Sequence, residues 1–462
     1  MAIDNEVSAQ AEFAVHRSGS RQQGTLQHFV EDKGFGFILR PPAPNLFFHA
    51  SQLECSVPYD GEALTFTVGR DKNNRDVALR IRRLSADFRT GDIVEWRVDP
   101  GTWRGEGRIL PHSGGDSIPF GGDDIIRSQG VRPAGPRPWH AAKYQVATLG
   151  DRTRAVDIEI DRRYPLQRFA FLGKEEDLIV GLKKIVLGEN WDYRTSKSNK
   201  PYEILYNYLQ FTFAKLVDED RSRPAAERKI RIRTDLKDHT PLATFNTGLV
   251  DKRYESIFAL FEPNDPGRQQ PWAFLAFCTA GEDAGKLLSR YFNPLPSPAC
   301  YFTHASELLF DPDAPLHPDY THILNENRDR LPADLLRLVE SLEPTRAVNT
   351  LKMHIDRAID LARKRCRWNF KTAIPHYFPS FGRLDFLLPL CLLDDTTVDV
   401  ALAVQRTETG YLGNTILPLD WAYKSARLVC RPDSDWLNPE RIDAGSEIGL
   451  DETGSDSISP SH

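Results

Sequence analysis

The chain has 462 residues, of which 40% are hydrophobic and 27% are charged, an ordinary balance for a folded protein of roughly two to four domains. The net charge of −6 argues against a protein that coats nucleic acid along its whole length. No apolar stretch approaches the roughly 20 residues that cross a bilayer, and the N-terminus lacks the apolar segment of a signal peptide. We therefore expect a cytoplasmic protein with no membrane contact.

The cysteines give no sign of a metal site or of disulfide bonds. All six are widely separated, whereas a structural zinc site normally takes its ligands from closely spaced pairs. Scattered cysteines are typical of buried thiols in a reducing compartment. We expect no metal and no cofactor. The cysteines are Cys55, Cys278, Cys300, Cys366, Cys391 and Cys430.

Residues 22–85 follow an N-terminal segment, 1–20, that we expect to be disordered, and they alternate with the period of β-strands. Five short strands in about 60 residues predict a small closed barrel of the OB type. The strand sequences are GTLQHFV (24–30), GFGFIL (34–39), NLFFHA (45–50), ALTFTVGR (63–70) and DVALRIRRL (76–84).

One face of this barrel is predicted to carry a group of aromatic side chains. Phe35 and Phe37 alternate along one strand, and Phe48 lies on the next strand beside His49. Such rings can stack on unpaired bases, each stack contributing about 1–3 kcal/mol, and Lys33 supplies a cation for phosphate. The ligand predicted from this pattern is single-stranded nucleic acid, RNA or DNA. The alternative is that the rings fill a core.

The segments KGFGFI (33–38) and LFFHAS (46–51) resemble the two ribonucleoprotein motifs of the cold-shock domain, and GTLQHF resembles its first strand. The resemblance covers residues 22 to 85 and implies an OB fold that binds single-stranded nucleic acid. The chain has Gln27 and His28 where the family usually has lysine and tryptophan, which predicts weaker or more selective binding. The binding residues implied are Lys33, Phe35, Phe37, Phe48 and His49, with His28 and Phe29 from the first strand.

Residues 91–162 contain a possible second copy of this barrel. AKYQVATLGDRTRAVDIEI follows ALTFTVGRDKNNRDVALRI at a spacing of 79 (142 − 63), and IPFGGDDI follows LFFHASQL at a spacing of 72 (118 − 46). We align GRIL (107–110) with GTLQ (24–27), so PHSGGDS stands where the glycine-rich motif is expected. This predicts a degenerate OB-like barrel without a stacking surface. An unrelated β-domain is an equal alternative.

Residues 165–439 change to a mixed pattern. Apolar residues at three- and four-residue spacing predict helices in 175–187, 201–220, 333–343 and 347–370, with alternating strands between them. We therefore expect an α+β domain. FNTGL, NENRDRLP, KTAIPHYFP and LDWAYKSARLVC resemble an uncharacterised bacterial domain family that accompanies RNA-associated modules, and this resemblance implies no particular activity.

Three short segments of this part carry residue types that nucleases use. They are DLKDHT, with Asp235 to His239, NENRDR, with Asn325 to Asp329, and KTAIPHY, with Lys371 and His376. No recognised spacing assembles them into a site, and each also suits a polar turn or a helix end. A nuclease or RNA-modifying enzyme directed by the first barrel is therefore the alternative function, and a binding protein is preferred.

The segment RAIDLARKRCRWNFK (357–371) places many cations at the end of a predicted helix, with aromatic residues between them. These cations could form a surface that binds the phosphates of a nucleic acid, or they could stabilise the C-terminal end of the helix dipole. The residues of this predicted basic patch are Arg363, Lys364, Arg365, Arg367, Trp368 and Lys371.

Residues 440–462 are predicted to form a disordered acidic tail. They contain six acidic residues and one base, Arg441, so most of the net charge lies there. Such a tail could recruit protein partners or compete with nucleic acid for basic surface.

Overall fold

The computed structural model describes residues 20–30, 33–84, 87–98, 105–126, 135–149, 152–194, 201–236, 240–281 and 283–442. The chain divides into two compact units, Met1–Arg162 and Arg163–His462. Within the described residues, no helix combines the length and the apolar character needed to cross a membrane.

The first half of the N-terminal unit is a closed five-stranded barrel with the strand order β1-β2-β3-β5-β4. Leucine, isoleucine and phenylalanine side chains from alternate positions fill its interior, among them Leu26, Ile38 and Phe66. The predicted OB-type barrel is confirmed. The strands are β1 Gln22–Val30, β2 Phe35–Arg40, β3 Ala43–His49, β4 Ala63–Arg70 and β5 Asp76–Arg83.

Among the described residues, the second half of this unit repeats the strand pairing of the barrel except for the pair that closes it. Its sheet has the order β10-β9-β6-β7-β8. A parallel bridge joins Ile125 to Ile158, as Leu53 is joined to Ile81 in the barrel. Asp157, which precedes Ile158, and Arg80, which precedes Ile81, both have a positive φ. The strands are β6 Arg89–Val98, β7 Gly105–Pro111, β8 Ile118–Gly121, β9 Ala141–Leu149 and β10 Arg152–Asp161.

The alignment of GRIL with GTLQ is wrong, because β7 is the counterpart of β2. A Cβ atom on Gly36 would lie 2.7 Å from the ring of Phe48, and one on Gly107 would lie 2.6 Å from the ring of Phe120. GEGRIL (105–110) therefore corresponds to GFGFIL (34–39). The correspondence was hidden because the two outward aromatic residues are replaced by charged ones, while the glycines, the isoleucine and the leucine remain.

A buried ion pair connects the two halves of the N-terminal unit. The guanidinium of Arg83, only 3% exposed, pairs with Asp157 of β10 and with Glu62. A second contact is formed by Tyr59, whose hydroxyl donates to Asp124 at 2.6 Å. Because these side chains are buried between the barrel and the second sheet, the two halves hold each other in place.

The C-terminal unit contains two five-stranded sheets, ordered β11-β15-β14-β13-β12 and β16-β20-β19-β18-β17. Helices accompany both sheets, which confirms the predicted α+β class. The first set of elements is α1 Pro165–Phe169, β11 Ala170–Phe171, α2 Glu175–Ile185, α3 Glu203–Arg221, β12 Arg231–Arg233, β13 Leu242–Val250, β14 Ser256–Pro263, β15 Trp272–Cys278 and α4 Gly285–Tyr291. The second set is β16 Leu316–Pro318, α5 Ala333–Glu340, α6 Pro344–Trp368, β17 Ile374–Phe378, β18 Arg383–Leu390, β19 Val400–Arg406, β20 Tyr411–Leu417 and α7 Leu419–Val429.

These two sets have the same topology from β11 and β16 onward. In each, a short first strand runs parallel to the last strand, and two helices separate it from four antiparallel strands and a final helix. The last strand of the first repeat, β15, begins pairing at Trp272 and has a bulge at Leu275. The last strand of the second repeat, β20, begins pairing at Tyr411 and has a bulge at Asn414. Both spacings are 139 residues (411 − 272 and 414 − 275), so this unit also has an internal repeat.

The two repeats of the C-terminal unit are joined through α7. Arg427 forms a double hydrogen bond with Glu189, at 3.1 and 2.5 Å, and its guanidinium lies over the rings of Trp191 and Tyr208. Lys424 pairs with Glu203 of α3 at 2.6 Å. Sequence reasoning did not identify these buried ion pairs.

The predicted start of the acidic tail is wrong by a few residues. Pro439–Arg441 form a short 3-10 helix, and Ile442 is buried. The remaining residues of the predicted tail, 443–462, lie outside the described residues, as do residues 1–19 of the predicted N-terminal segment. The role of the tail with protein partners stays a prediction.

The buried position of Arg83 predicts a large loss of stability on substitution. We expect Arg83→Met to lower the free energy of unfolding of the N-terminal unit by about 3–5 kcal/mol, because Asp157 is left as a buried charge without its partner. The neighbouring pair of Arg82 and Glu54 is exposed, so Arg82→Met should cost less than about 1 kcal/mol. Denaturant unfolding of both variants measures the difference, and equal losses would contradict this account.

Candidate nucleic-acid interface

The register of the first three strands places aromatic side chains on the outer face of the barrel. Phe37 lies opposite Phe47 on β3 and opposite His28 on β1. Phe35 lies opposite His49. Because side chains alternate between the two faces of a strand, these residues share one face.

Three rings on this face form a continuous surface, which we call the stacking platform: Phe35, Phe37 and Phe47. The ring centroid of Phe35 lies 6.0 Å from that of Phe37 and 5.7 Å from that of Phe47, and Phe37 and Phe47 are 5.8 Å apart. Phe37 is 39% exposed, whereas Phe35 and Phe47 are half-buried by each other. The rings therefore support one another and keep an accessible surface.

The prediction of Phe48 as a stacking residue is wrong. Phe48 is 1% exposed and points into the barrel core, where it stacks on Phe29 at 5.9 Å with an interplanar angle of 13°. Phe29 is accordingly a half-buried residue packed against the core. Sequence reasoning missed Phe47. The available signal was Leu46, because an inward leucine makes Phe47 outward and Phe48 inward by alternation.

The glycines of the motif serve the packing and the backbone conformation of β2 rather than access to the platform. Gly36 does not clear access to the platform, because the space beside it on the inner face is filled by the ring of Phe48. Gly34 has a φ of +62°, a left-handed conformation that glycine adopts without strain at the start of β2.

Polar side chains border the platform. The Nδ1 atom of His28 lies 2.9 Å from the carboxylate of Asp60, and the amide of Asn45 donates to Gln27 at 3.0 Å. Lys33 is exposed at the other end of the motif. A carboxylate beside His28 repels phosphate, so this border suits base edges better than the backbone of a nucleic acid.

His49 is half-buried at the edge of the platform, next to Phe35. Its Nδ1 atom accepts a hydrogen bond from the backbone N–H of Ser51 at 3.2 Å and lies 3.0 Å from the hydroxyl of the same residue. These contacts hold the imidazole in place at the end of β3.

Most cations of the predicted basic patch have partners within the protein. Arg363 and Arg365 donate to backbone carbonyls, of Pro312 and Asp395 among others. Arg367 pairs with Asp313 at 2.8 Å. Lys371 pairs with Asp433 at 2.6 Å, whereas Lys364 is exposed. The patch is therefore less positive than the sequence indicated. Trp368 of this patch is 92% exposed, and Phe370 beside it in sequence is 65% exposed.

The described nuclease candidates do not form a site. His376 is fully buried and lies 3.1 Å from the hydroxyl of Ser425, Asn327 is buried, and Asp235 is exposed. Lys237, Asp238 and His239 lie outside the described residues. In the described part of the chain, no group of three or more histidine, cysteine or acidic side chains is arranged to hold a metal ion.

One cavity of about 420 Å³ lies elsewhere, at the start of α2. Lys174, Glu175, Glu176, Ile179, Pro201 and Tyr206 line it. None of the predicted site residues contributes to it.

Comparison with known proteins identifies the larger part of the C-terminal unit. Residues 182–436 match the family described as domain of unknown function DUF3825, and the chain belongs to this family. No curated protein matches the chain at a significant level.

Solved structures resemble the chain only weakly. Drosophila Unr CSD456 is 10% identical with a TM-score of 0.20, and the match covers 58% of this chain and 99% of that one. A Streptococcus pneumoniae multidomain protein with nucleic acid binding domains is 15% identical with a TM-score of 0.13, covering 37% and 60%. Mycoplasma genitalium RNase R, in complex with ribose methylated single-stranded RNA, is 10% identical with a TM-score of 0.13, covering 52% and 34%.

The opposite orientations of Phe47 and Phe48 predict different effects of the same substitution. We expect Phe48→Ala to lower the free energy of unfolding by about 3–5 kcal/mol, because it removes a ring from the barrel core. We expect Phe47→Ala to leave stability within about 1 kcal/mol. Chemical denaturation of the two variants provides the measurement. A larger loss for Phe47→Ala would show that the strand alternates in the opposite sense.

Burial of His376 predicts a specific sensitivity to acid. Burial, with a smaller effect of Arg383, lowers the pKa of His376 from 6.5 to about 3. The folded protein thus keeps the imidazole neutral, and stability is lost as pH falls from the unfolded value toward the folded one. When the pH falls from about 7 to about 5, the free energy of unfolding of the wild type should decrease by about 2 kcal/mol more than that of His376→Gln. Parallel pH profiles of the two proteins would contradict this expectation.

Proposed function

We propose that this protein binds single-stranded nucleic acid on the stacking platform of its first barrel. The observation that supports the proposal is the group of three contacting phenylalanine rings on the outer face of β2 and β3, with Phe37 exposed. A soluble barrel does not need rings on its outer face when Phe48, Phe66 and aliphatic residues already fill its core. Unpaired bases are ligands that such flat surfaces bind.

The platform suits single strands rather than duplexes. Bases in a duplex are already stacked, so their faces are not accessible to protein rings. Each base on Phe35, Phe37 or Phe47 contributes about 1–3 kcal/mol with little dependence on sequence. Lys33 adds a phosphate contact that weakens as salt rises. The resemblance to the cold-shock domain agrees with this proposal, with Phe47 taking the place that we first gave to Phe48.

The second sheet is not proposed as an equal binding surface. Glu106 and Arg108 occupy the positions of Phe35 and Phe37, and Pro119 occupies that of Phe47. Arg108 is also engaged, donating to Ser117 through its side chain at 2.7 Å. We infer that this sheet supports the first barrel through the contacts of Asp157 and Asp124.

An enzymatic function is not favoured by any observation on the described residues. The nuclease candidates that are described lie on separate elements, and no hydrogen bond or ion pair joins any two of them in the described part of the chain. A binding role therefore remains the function that the geometry supports best.

Removing the platform should abolish most of the binding. We expect the triple variant Phe35→Ala, Phe37→Ala, Phe47→Ala to bind a single strand of about 10 nucleotides at least about 30-fold more weakly, since two or three stacks are lost. Phe88→Ala, which removes an exposed ring outside the platform in the same unit, is the matched control and should bind normally.

Fluorescence anisotropy with labelled RNA and with DNA of the same sequence gives the affinities, and duplex DNA serves as a competitor. Wild-type affinity in the triple variant would refute the platform. Equal competition by duplex and single strand would show that stacking on unpaired bases is not the mode of binding.

A further inference from the structure

We propose that Trp368 and Phe370, with Lys364, form a second contact for single-stranded nucleic acid on the C-terminal unit, which we call the α6-end contact. The inference rests on the proposed function, since it assigns the same class of ligand to a second surface. Trp368 is the last residue of α6, and Phe370 begins the short 3-10 helix that follows. Both rings are exposed, at 92% and 65%.

The chemistry of this surface fits a nucleic-acid strand better than an apolar partner. Exposed rings that alternate with cations along the chain are typical of surfaces that bind stacked bases and phosphates together. Arg363 and Arg365 donate to neutral carbonyls, so these contacts fix the guanidinium groups without cancelling their charge. Lys364, between them in sequence, is exposed and has no carboxylate partner among the described residues.

The two ion pairs at the edge of the surface do not prevent this contact. Arg367 with Asp313 and Lys371 with Asp433 are exposed pairs, and their carboxylate side chains are 75% and 84% accessible. Exposed pairs of this kind contribute little to stability, so a phosphate can exchange with the carboxylate at small cost.

The internal repeat of the C-terminal unit supplies a comparison within the same chain. The counterpart of α6 in the first repeat is α3, which also precedes the first of four antiparallel strands. The last turn of α3 carries Asp218, Glu219 and Asp220 and a single cation, Arg221, which pairs with Asp218 at 2.9 Å. Asp220 accepts hydrogen bonds from the backbone N–H groups of Lys229 and Ile230, both at 2.8 Å, so this helix end is covered by its own chain.

This comparison tests whether the fold requires the cations at the end of α6 or whether they serve to bind a ligand. If the topology needed a cluster of cations to complement the helix dipole at this place, three of the last four residues of α3 would not be acids. The fold accepts a closed acidic end in one repeat. The exposed rings and cations at the other end are therefore a property of that surface itself.

The test uses the full chain and two lengths of labelled oligouridine, about 8 and about 40 nucleotides. We expect the double variant Trp368→Ala, Phe370→Ala to bind the long strand about tenfold more weakly than wild type, and the short strand equally well. Met353→Ala is the matched control, because Met353 is 71% exposed on the same helix and should not affect binding. Thermal unfolding of each variant checks that the unit is intact.

A second arm separates this inference from the proposed function. In the background of the platform triple variant, residual binding of the long strand should persist and should disappear when Trp368 and Phe370 are also replaced. Unchanged binding of the long strand by the double variant would overturn the α6-end contact, even where the platform variant fails to bind. Full binding by the platform variant would overturn the proposed function, and a loss caused by the double variant would then still support the α6-end contact.

Discussion

The strict alternation of side chains along β2 and β3 is the constraint on which the candidate interface depends. Packing of Leu46 and Phe48 in the core forces Phe47 outward, and packing of Gly36 and Ile38 forces Phe35 and Phe37 outward in the same way. The space taken by the ring of Phe48 excludes any side chain at position 36. The core and the platform therefore depend on the same strand register. A shift of the register by one residue would turn the core residues outward and the platform residues inward.

The same constraint holds in the second sheet, where the outward aromatic residues are absent. In the second sheet, Phe120 stacks on Trp96 at 5.5 Å, as Phe48 stacks on Phe29, and Gly107 leaves the space for its ring. The inward residues are retained, while the outward aromatic positions hold Glu106 and Arg108. Packing needs a fixed shape at each inward position, whereas an outward position is free to change once it has no ligand.

Repetition also organises the C-terminal unit, and there it shows which features the fold requires. Both repeats share the parallel pairing of the first and last strands and the bulge near the start of the last strand. They differ at the ends of α3 and α6, where one is held by its own chain and the other is exposed. Differences between repeats at equivalent places are therefore informative about surfaces rather than about stability.

The sequence by itself determined the class of each part, because the periods of apolar residues and the glycine-rich motif depend only on neighbours along the chain. It indicated the OB-type barrel, the mixed C-terminal unit, and Phe35 and Phe37 as outward residues. It did not distinguish Phe47 from Phe48, since two adjacent aromatic residues satisfy the same motif. Leu46 was a local signal, and the register that sets Phe48 opposite Gly36 fixes which ring is buried. The sequence offered the N-terminal repeat as one of two equal alternatives, with one segment misaligned, and the strand order decided between them. Only tertiary structure revealed the repeat of the C-terminal unit and the buried pair of Arg83 with Asp157, because the residues that meet there are far apart in the chain.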